Sequence, residues 1–179
     1  MSIETVREHL RRWSREGGII ELAASTATVA EAAAALGVED RRIAKSISLK
    51  CPGPSSGLEN AAKESGALQT GGGIRVFVVV TAGDMKLDNR KFKDYFGFKA
   101  KMLDPKETLE YTGHAVGGVC PFGLPPGVDV YLDVSLQRFT TVYPACGNAN
   151  SAVELTMEEL AAYTPHKGWV DLCKPKEAQ

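Results

Sequence analysis

The chain has 179 residues, of which 44% are hydrophobic and 24% are charged, and its formal net charge at pH 7 is −1. This length and composition predict a single globular domain over residues 1–179. The near-neutral charge gives no overall sign of a nucleic-acid or membrane partner, and no apolar run reaches the roughly 20 residues that a membrane helix needs. The N-terminus lacks the apolar core of a signal peptide, so the expected location is the cytoplasm.

The N-terminal segment predicts a helix followed by a short strand. Four apolar residues recur at helical spacing over residues 3–16: Ile3, Val6, Leu10 and Trp13. Gly17 and Gly18 end this helix. A short apolar strand then runs from Ile19 to Leu22.

A second helix and a longer strand follow. Thr28 and Glu31 have the spacing of a capping box, and they precede an alanine-rich helix over residues 29–36. Gly37 closes this helix. The segment RRIAKSISLK then alternates as a strand over about residues 42–50.

Lys45 breaks the pattern of that strand. With a period of two, it shares one face with the apolar residues Ile43, Ile47 and Leu49. Lysine is almost never fully buried without a partner, because removing its charge from water is costly. Three interpretations stay open: the side chain reaches water past the apolar face, it lines a pocket and presents its charge to a phosphate or a polarised carbonyl, or it forms a Schiff base.

The middle of the chain predicts one flexible segment, one buried strand and two helices. Residues 51–73 are rich in Gly, Pro and Ser, which predicts a flexible insertion. Residues 74–80 read IRVFVVV, and apolar residues on both faces of this strand indicate a central position in a sheet. A helix is expected over residues 88–97, and Asp104 begins another with a proline in its first position.

The C-terminal part predicts a loop and several short strands. The loop covers residues 111–128, and three strands follow it: Val128–Asp133, Arg138–Tyr143 and Ser151–Leu155. Thr156 caps a short helix, and the tail over residues 163–179 is expected to be loosely structured. The order of elements predicts a mixed α/β fold, with a strongly curved, barrel-like mixed β-sheet surrounded by short helices.

The loop GHAVGGVCPFG is a candidate ligand cradle. Gly117 and Gly118 let backbone N–H groups approach a ligand closely, and Pro121 stiffens the turn that follows. This composition is typical of an oxyanion or carbonyl cradle, although long surface loops share it. The loop lacks the GK[ST] ending of a phosphate-binding P-loop.

A second glycine-containing segment, ACGNAN, covers residues 145–150. Gly147 and Asn148 tolerate positive φ, so a tight turn between two strands explains them. The alternative is that backbone and amide groups of this turn recognise a small ligand.

Neither a metal site nor a protein nucleophile has strong support. The four cysteines form no CxxC pair, which indicates reduced thiols and no bound metal: Cys51, Cys120, Cys146 and Cys173. Cys120 and His114 lie in one loop, so a thiol hydrolase is an alternative, but the sequence shows no group that would orient the histidine. No cofactor motif is present, and no cofactor is expected.

Basic residues are concentrated between Lys86 and Lys106. Seven Lys or Arg residues lie there, against three Asp. This excess of positive charge indicates either a solvated face or a shallow surface for an anionic ligand.

Taken together, six segments resemble the YbaK/EbsC-like family, which includes freestanding aminoacyl-tRNA deacylases and the editing domain of bacterial prolyl-tRNA synthetases. The segments are RRIAKSISLK, VFVVVTAGDMKLDNRKF, KMLDPKE, GHAVGGVCPFG, VDVYLDVSL and YPACGNANSAVEL. In order and spacing they cover most of residues 25–160. The GVCPFG form departs from the family's more common Gly-x-Ser-Pro version, and residues 51–73 are longer than the usual connection.

The resemblance implies a YbaK-like fold and hydrolysis of the ester that joins a wrong amino acid to the terminal adenosine of a tRNA. By this resemblance, Lys45 would hold the terminal phosphate or the carbonyl region, and Gly117 and Gly118 would contact the carbonyl through backbone N–H groups. In this family water or groups of the substrate attack, so no protein nucleophile is required. The expected partner is the acceptor end of an aminoacyl-tRNA, and the sequence does not set the oligomeric state.

The predicted pocket is small. Lys45, Ile47, Val116 and the glycine loop would bound it, which suits alanine, serine, cysteine or threonine. The candidate substrate contacts are Ser46, His114, Val116, Pro121, Gly147 and Asn148. Of these, Ser46 and His114 would read a hydroxyl group. The alternative function is a non-catalytic tRNA- or nucleotide-binding module that uses the same pocket.

Overall fold

The structure is a computed structural model that describes residues 2–52 and 73–177, and it has a mixed α/β fold around a strongly curled sheet. Five α-helices are described: α1 (Ser2–Arg11), α2 (Val29–Leu36), α3 (Asn89–Phe96), α4 (Pro105–Thr112) and α5 (Met157–Tyr163). The strands are β1 (Ile19–Glu21), β2 (Ile43–Pro52), β3 (Ile74–Ala82), β4 (Met85–Leu87), β5 (Lys101–Met102), β6 (Asp129–Asp133), β7 (Thr141–Pro144), β8 (Ser151–Val153), β9 (Leu155–Thr156), β10 (Trp169–Val170) and β11 (Cys173–Pro175). The predicted fold class is confirmed.

The main sheet mixes parallel and antiparallel neighbours. Its strand order is β10-β6-β3-β2-β7-β9, and β5 pairs with β2 beside this path. β3 runs antiparallel to β2 and parallel to β6. β1 pairs with β8, and β4 pairs with β11, in two separate antiparallel ribbons.

β3 is the central strand that its sequence predicts. Val78, Val80 and Ala82 belong to one core cluster. Phe77 and Val79 point to the opposite face and belong to a second cluster. Because both faces are covered, residues 76–80 of this strand form an uninterrupted apolar run.

Caps fix the starts of the helices as the sequence predicts. Thr28, Asp104 and Thr156 each form a capping box with the glutamate three residues later. The predicted end of the first helix is wrong, because α1 stops at Arg11 rather than at residue 16. The Leu10 carbonyl accepts hydrogen bonds from the N–H groups of Trp13 (3.0 Å) and Arg15 (3.1 Å), and this turn closes the helix early.

Two predicted strands are shorter than expected. Residues Val134–Arg138 form a 3₁₀ helix, whose first turn is capped by the Asp133 carboxylate, so β7 begins only at Thr141. The strand predicted over Ser151–Leu155 divides in two, because β8 pairs with β1 whereas β9 pairs with β7.

The prediction of a loosely structured tail is wrong. β10 adds to the main sheet parallel to β6, and β11 pairs with β4. The buried carboxylate of Asp133 caps Ser135 N–H (3.0 Å) and also accepts from Leu172 N–H (2.9 Å), which ties the tail to the core.

The predicted flexible insertion over residues 51–73 lies largely outside the described residues. Of this segment, Cys51 and Pro52 extend β2. Within the described ranges, no helix is long and apolar enough to cross a membrane.

The first prediction concerns the carboxylate that anchors the tail. Asp133→Ala removes the acceptor of two buried N–H groups, so the free energy of unfolding should fall by about 1–3 kcal/mol. Asp133→Asn keeps one oxygen acceptor and should lose less. Urea-induced unfolding measures both values, and equal stability of Asp133→Ala and the parent protein would contradict the assigned anchor.

Candidate functional site

The outer edge of β2 is interrupted in its middle. On one side, β2 pairs with β3 along residues 44–52. On the other side, it pairs with β7 at residues 43–44 and with β5 at residues 49–50. No described strand covers the outer edge over residues 45–47, so the backbone is open there.

Ser46 is the residue whose backbone faces this gap. The Ser48 carbonyl points to the outer edge, where it accepts a hydrogen bond from Leu103 N–H (3.1 Å). In an antiparallel strand, residues two apart point their N–H and C=O groups to the same edge. The N–H and C=O of Ser46 therefore face the gap, where no described strand pairs with them.

A cavity of about 550 Å³ opens at this gap. Its wall combines the start of α2, the middle of β2, the glycine loop and the ends of β7 and β8. Small apolar side chains form much of the wall: Ala27, Val29, Ala30, Ala32, Ala44, Val119, Ala145 and Ala152. A cavity of this size and composition accepts a small organic group with a few fixed polar contacts.

Lys45 places a positive charge on the cavity wall. Its side chain is half-buried, and its ammonium has no ion pair and no hydrogen bond among the described residues. Burial lowers the pKa of Lys45 from its ordinary value of 10.5, and the nearby charge of Lys176 lowers it further. An anion bound beside Lys45 would offset both effects, because opposite charge favours the ammonium form.

Two hydroxyl groups on the wall also lack partners. Ser46 Oγ and Thr26 Oγ1 are buried, and neither has a hydrogen-bond partner in the described part of the chain. A buried hydroxyl without a partner costs free energy, and a polar atom that came within hydrogen-bond distance would recover that cost.

The glycine loop contributes Val116, Gly117 and Val119 to the cavity wall. Gly117 has a φ of +90°, and its N–H and that of Val119 have no partner in the described residues. The Gly118 N–H already donates to the Ala115 carbonyl (2.9 Å). Of the two glycines predicted as a cradle, Gly117 lines the cavity with an unbonded N–H, whereas the N–H of Gly118 is already bonded within the loop.

Gly118 joins the two glycine-containing loops. Its carbonyl accepts a hydrogen bond from Gly147 N–H (3.0 Å). A Cβ atom at position 118 would lie 2.6 Å from backbone atoms of Gly147 and Asn148. The absence of a side chain at Gly118 is thus what lets segment 145–150 lie against the cavity loop.

Only part of the predicted set lines the cavity. Lys45, Ser46, Val116 and Gly117 do. Six predicted residues are not among those that line it: Gly118, His114, Pro121, Gly147, Asn148 and the predicted boundary Ile47. Ile47 packs in the second core cluster, because its face of β2 is covered by apolar side chains at that point.

His114 is part of the interior. It is fully buried, and its Nδ1 is hydrogen-bonded to Ser2 Oγ. Its Nε2 lies 2.8 Å from the Phe122 carbonyl, which only accepts, so Nε2 carries the proton. This ring has no free nitrogen with which to read a substrate hydroxyl.

The same geometry opposes the thiol-hydrolase alternative. Cys120 Sγ lies 3.6 Å from His114 Nε2, but that nitrogen is a donor and cannot take the thiol proton. Complete burial raises the pKa of Cys120 to about 12, and burial lowers the pKa of His114. Both groups are therefore neutral near pH 7, and the reactive thiolate does not form.

Sequence reasoning missed the part of the wall that comes from residues 26–30 and Lys176. The capping box at Thr28 predicted the start of α2, but nothing in the pattern placed that start against β2. Lys176 lies in the tail whose strands were not predicted. In the described residues, no group of three or more His, Cys, Asp and Glu side chains could hold a metal ion.

Comparisons of the sequence and the fold with known proteins identify similar proteins. Residues 23–163 match the aminoacyl-tRNA editing domain. The uncharacterized protein YwhH of Bacillus subtilis (strain 168) is 48% identical over 177 residues, which are 99% of this chain and 100% of that protein.

Two solved structures are similar along almost their whole length. A crystal structure described as a candidate trans-editing enzyme for prolyl tRNA synthetase has a TM-score of 0.76 and 28% identity, over 97% of each chain. The crystal structure of hypothetical protein APE2540 has a TM-score of 0.69 and 29% identity, over 93% of this chain and 99% of that one.

The second prediction tests the close contact at Gly118. Gly118→Ala places a methyl group against backbone atoms, so it should destabilise the protein by about 1–3 kcal/mol and shift the amide signals of both loops. Gly17→Ala is the matched control, because a Cβ there meets nothing within 4 Å. Urea unfolding and ¹H–¹⁵N NMR spectra measure the two effects. If the two variants behave alike, the loops do not depend on this contact.

Proposed function

The chain belongs to the aminoacyl-tRNA editing domain family, and from this premise we propose that it is a trans-editing hydrolase that deacylates mischarged aminoacyl-tRNA. The bound group is the 3′-terminal adenosine with its esterified amino acid. The observation that carries the proposal is the unpaired ammonium of Lys45 on the wall of a small cavity.

Lys45 is proposed to bind the phosphate that precedes the terminal adenosine. A phosphodiester is a fixed anion, and it would give the half-buried ammonium the partner that the described protein lacks. Binding at this point would set the position of the ribose and direct the ester toward the glycine loop.

The glycine loop is proposed to polarise the ester. The free N–H groups of Gly117 and Val119 would donate to the carbonyl oxygen, and this stabilises the negative charge that develops as water attacks. Water adds to the carbonyl carbon, the bond from that carbon to the ribose oxygen breaks, and the ribose oxygen takes up a proton. The ester is already activated, so positioning and polarisation supply much of the acceleration.

The cavity supports a small amino acid as the group removed. Its wall of alanine and valine side chains leaves room for alanine, serine, cysteine or threonine. The unpartnered hydroxyls of Ser46 and Thr26 favour a substrate with a polar side-chain atom, because a site built to hydrogen-bond rejects an analogue that lacks the bond. The description of the structural neighbour makes prolyl-tRNA carrying a wrong small amino acid the first substrate to examine.

Exposed lysines would add a salt-sensitive share of affinity. Lys86 and Lys91 of the basic segment are engaged by Glu177 (3.5 Å) and Asp171 (2.8 Å) of the tail. Four other lysines of the segment are exposed and form no ion pair with any described carboxylate: Lys93, Lys99, Lys101 and Lys106. The part of the basic segment that is left for RNA is thus α3, β5 and the start of α4.

The alternative is a non-catalytic module that binds the same RNA end. It shares the cavity and the lysine, and it differs in the fate of the ester. A purified protein that binds a non-hydrolysable aminoacyl-adenosine analogue but does not accelerate ester loss from any mischarged tRNA would establish this alternative.

The third prediction concerns Lys45. Lys45→Ala should lower kcat/KM for deacylation by at least about 100-fold, because the ester is no longer held at the cradle. Lys50→Ala is the control, since Lys50 lies on the same strand, pairs with Glu107 and does not line the cavity. Cys120→Ala should also stay active.

Release of labelled amino acid from a panel of mischarged tRNAs measures these rates, and circular dichroism checks that each variant is folded. Full activity of Lys45→Ala would contradict the role given to the ammonium. Inactivity of a folded Cys120→Ala protein would bring back the thiol mechanism.

The fourth prediction concerns the Ser46 hydroxyl. Ser46→Ala should lower kcat/KM by up to about 10-fold for a seryl or threonyl ester, the worth of one neutral hydrogen bond, and should leave the alanyl ester nearly unchanged. Competition between the esters on the same tRNA measures the ratio directly. An equal loss for all three esters would show that Ser46 shapes the wall without reading the side chain.

A further inference from the structure

Lys176 lines the same cavity as Lys45. It lies beyond residues 23–163, the part of the chain that matches the editing domain. The ammonium of Lys176 is close enough to Lys45 for its charge to lower the pKa of Lys45. The cavity therefore has a second cation, which comes from the C-terminal tail.

The tail that carries Lys176 is held in place along its length. β11 pairs with β4 in an antiparallel ribbon, and Lys91 binds both Asp171 (2.8 Å) and the Cys173 carbonyl (3.0 Å). The Lys176 N–H itself donates to the Asp84 carbonyl (2.9 Å). The backbone at position 176 is thus fixed beside the cavity, and only the side chain is free to move.

The neighbouring carboxylates do not neutralise this pair. Asp84 is engaged by Arg138 through two hydrogen bonds (2.6 and 3.0 Å). Asp40 also lines the cavity, but it forms no ion pair with either lysine in the described structure. Two like charges on one wall that are not paired with a carboxylate repel each other, and a bound anion removes that cost.

We propose that Lys176 is a second phosphate-binding residue, which holds the phosphodiester next to the one taken by Lys45 on the single-stranded 3′ end of the tRNA. This inference rests on the proposed function. A single-stranded RNA end carries one negative charge per nucleotide, so two lysines that line one cavity match two successive phosphates. The tail thereby contributes to holding the RNA, while the cavity of the editing domain holds the ester.

A binding measurement tests this independently of catalysis. The probe is an unacylated RNA hexanucleotide that ends in CCA and carries a fluorescein on its 5′ end, titrated with the full chain at several salt concentrations. Lys176→Ala should weaken binding and should reduce the slope of log K against log salt by about 0.7, the value for one phosphate contact on a single strand. Lys176→Arg should restore both.

Lys174→Ala is the matched control. Lys174 lies on the same tail, is exposed and does not line the cavity, so its removal should leave the affinity and the slope close to those of the parent protein. In deacylation assays, Lys176→Ala should raise KM with little change in kcat, since it removes binding that is equal in ground state and transition state.

The possible outcomes separate this inference from the proposed function. If Lys176→Ala and Lys174→Ala have the same affinity and the same slope, Lys176 holds no phosphate. If the parent protein does not bind the probe at all, the inference is also overturned, whatever the deacylation assay shows. If the probe binds as expected but no ester is hydrolysed, the inference stands and the hydrolase proposal fails.

Discussion

β2 is hydrogen-bonded to β3 along almost its whole length but to β7 and β5 only near its two ends, and the cavity exists because of this difference. A continuous neighbour would satisfy the backbone of Ser46 and fill the space. The full pairing with β3, which is buried on both faces, supports β2 across the gap. The rigid strand therefore holds Lys45 and Ser46 at fixed positions on the cavity wall.

The site combines unsatisfied polar groups with a wall that is mainly apolar. Lys45, Lys176 and Gly117 line the cavity, the hydroxyls of Ser46 and Thr26 are buried without a partner, and the N–H groups of Gly117 and Val119 have none among the described residues. Each such group costs free energy in the free protein, and a ligand with matching atoms recovers it. Such an arrangement suits a reaction in which positioning and carbonyl polarisation do most of the work. It also fits the interior position of Cys120 and His114, which are neutral and bonded within the protein.

Of the predicted site residues, Lys45 and Gly117 lie on the cavity wall, and each had a clear signal in the sequence. Lys45 was identified because a charge on an apolar strand face conflicts with strand periodicity, and Gly117 because paired glycines allow a close backbone approach. The predicted contacts that do not line the cavity have a common explanation: spacing within a loop does not tell which side of the backbone faces the cavity. Gly118 and Gly147 face each other, and His114 faces the interior. β10 and β11 were missed because two- and three-residue strands have no periodicity of their own and form only against β6 and β4.

The lysines of the basic segment differ in what they contact: some pair with carboxylates of the tail, and others are exposed. Lys86 and Lys91 bind carboxylates of the tail, and the tail in turn brings Lys176 to the cavity. Lys86 and Lys91 belong to the basic segment, but their ion pairs hold the tail that carries Lys176. The tail is also part of the fold, because β10 extends the main sheet beside β6 and Leu172 lies in the second core cluster. A change in the charge of Lys176 is therefore expected to leave β10 and β11 in place, whereas loss of the tail would remove both strands.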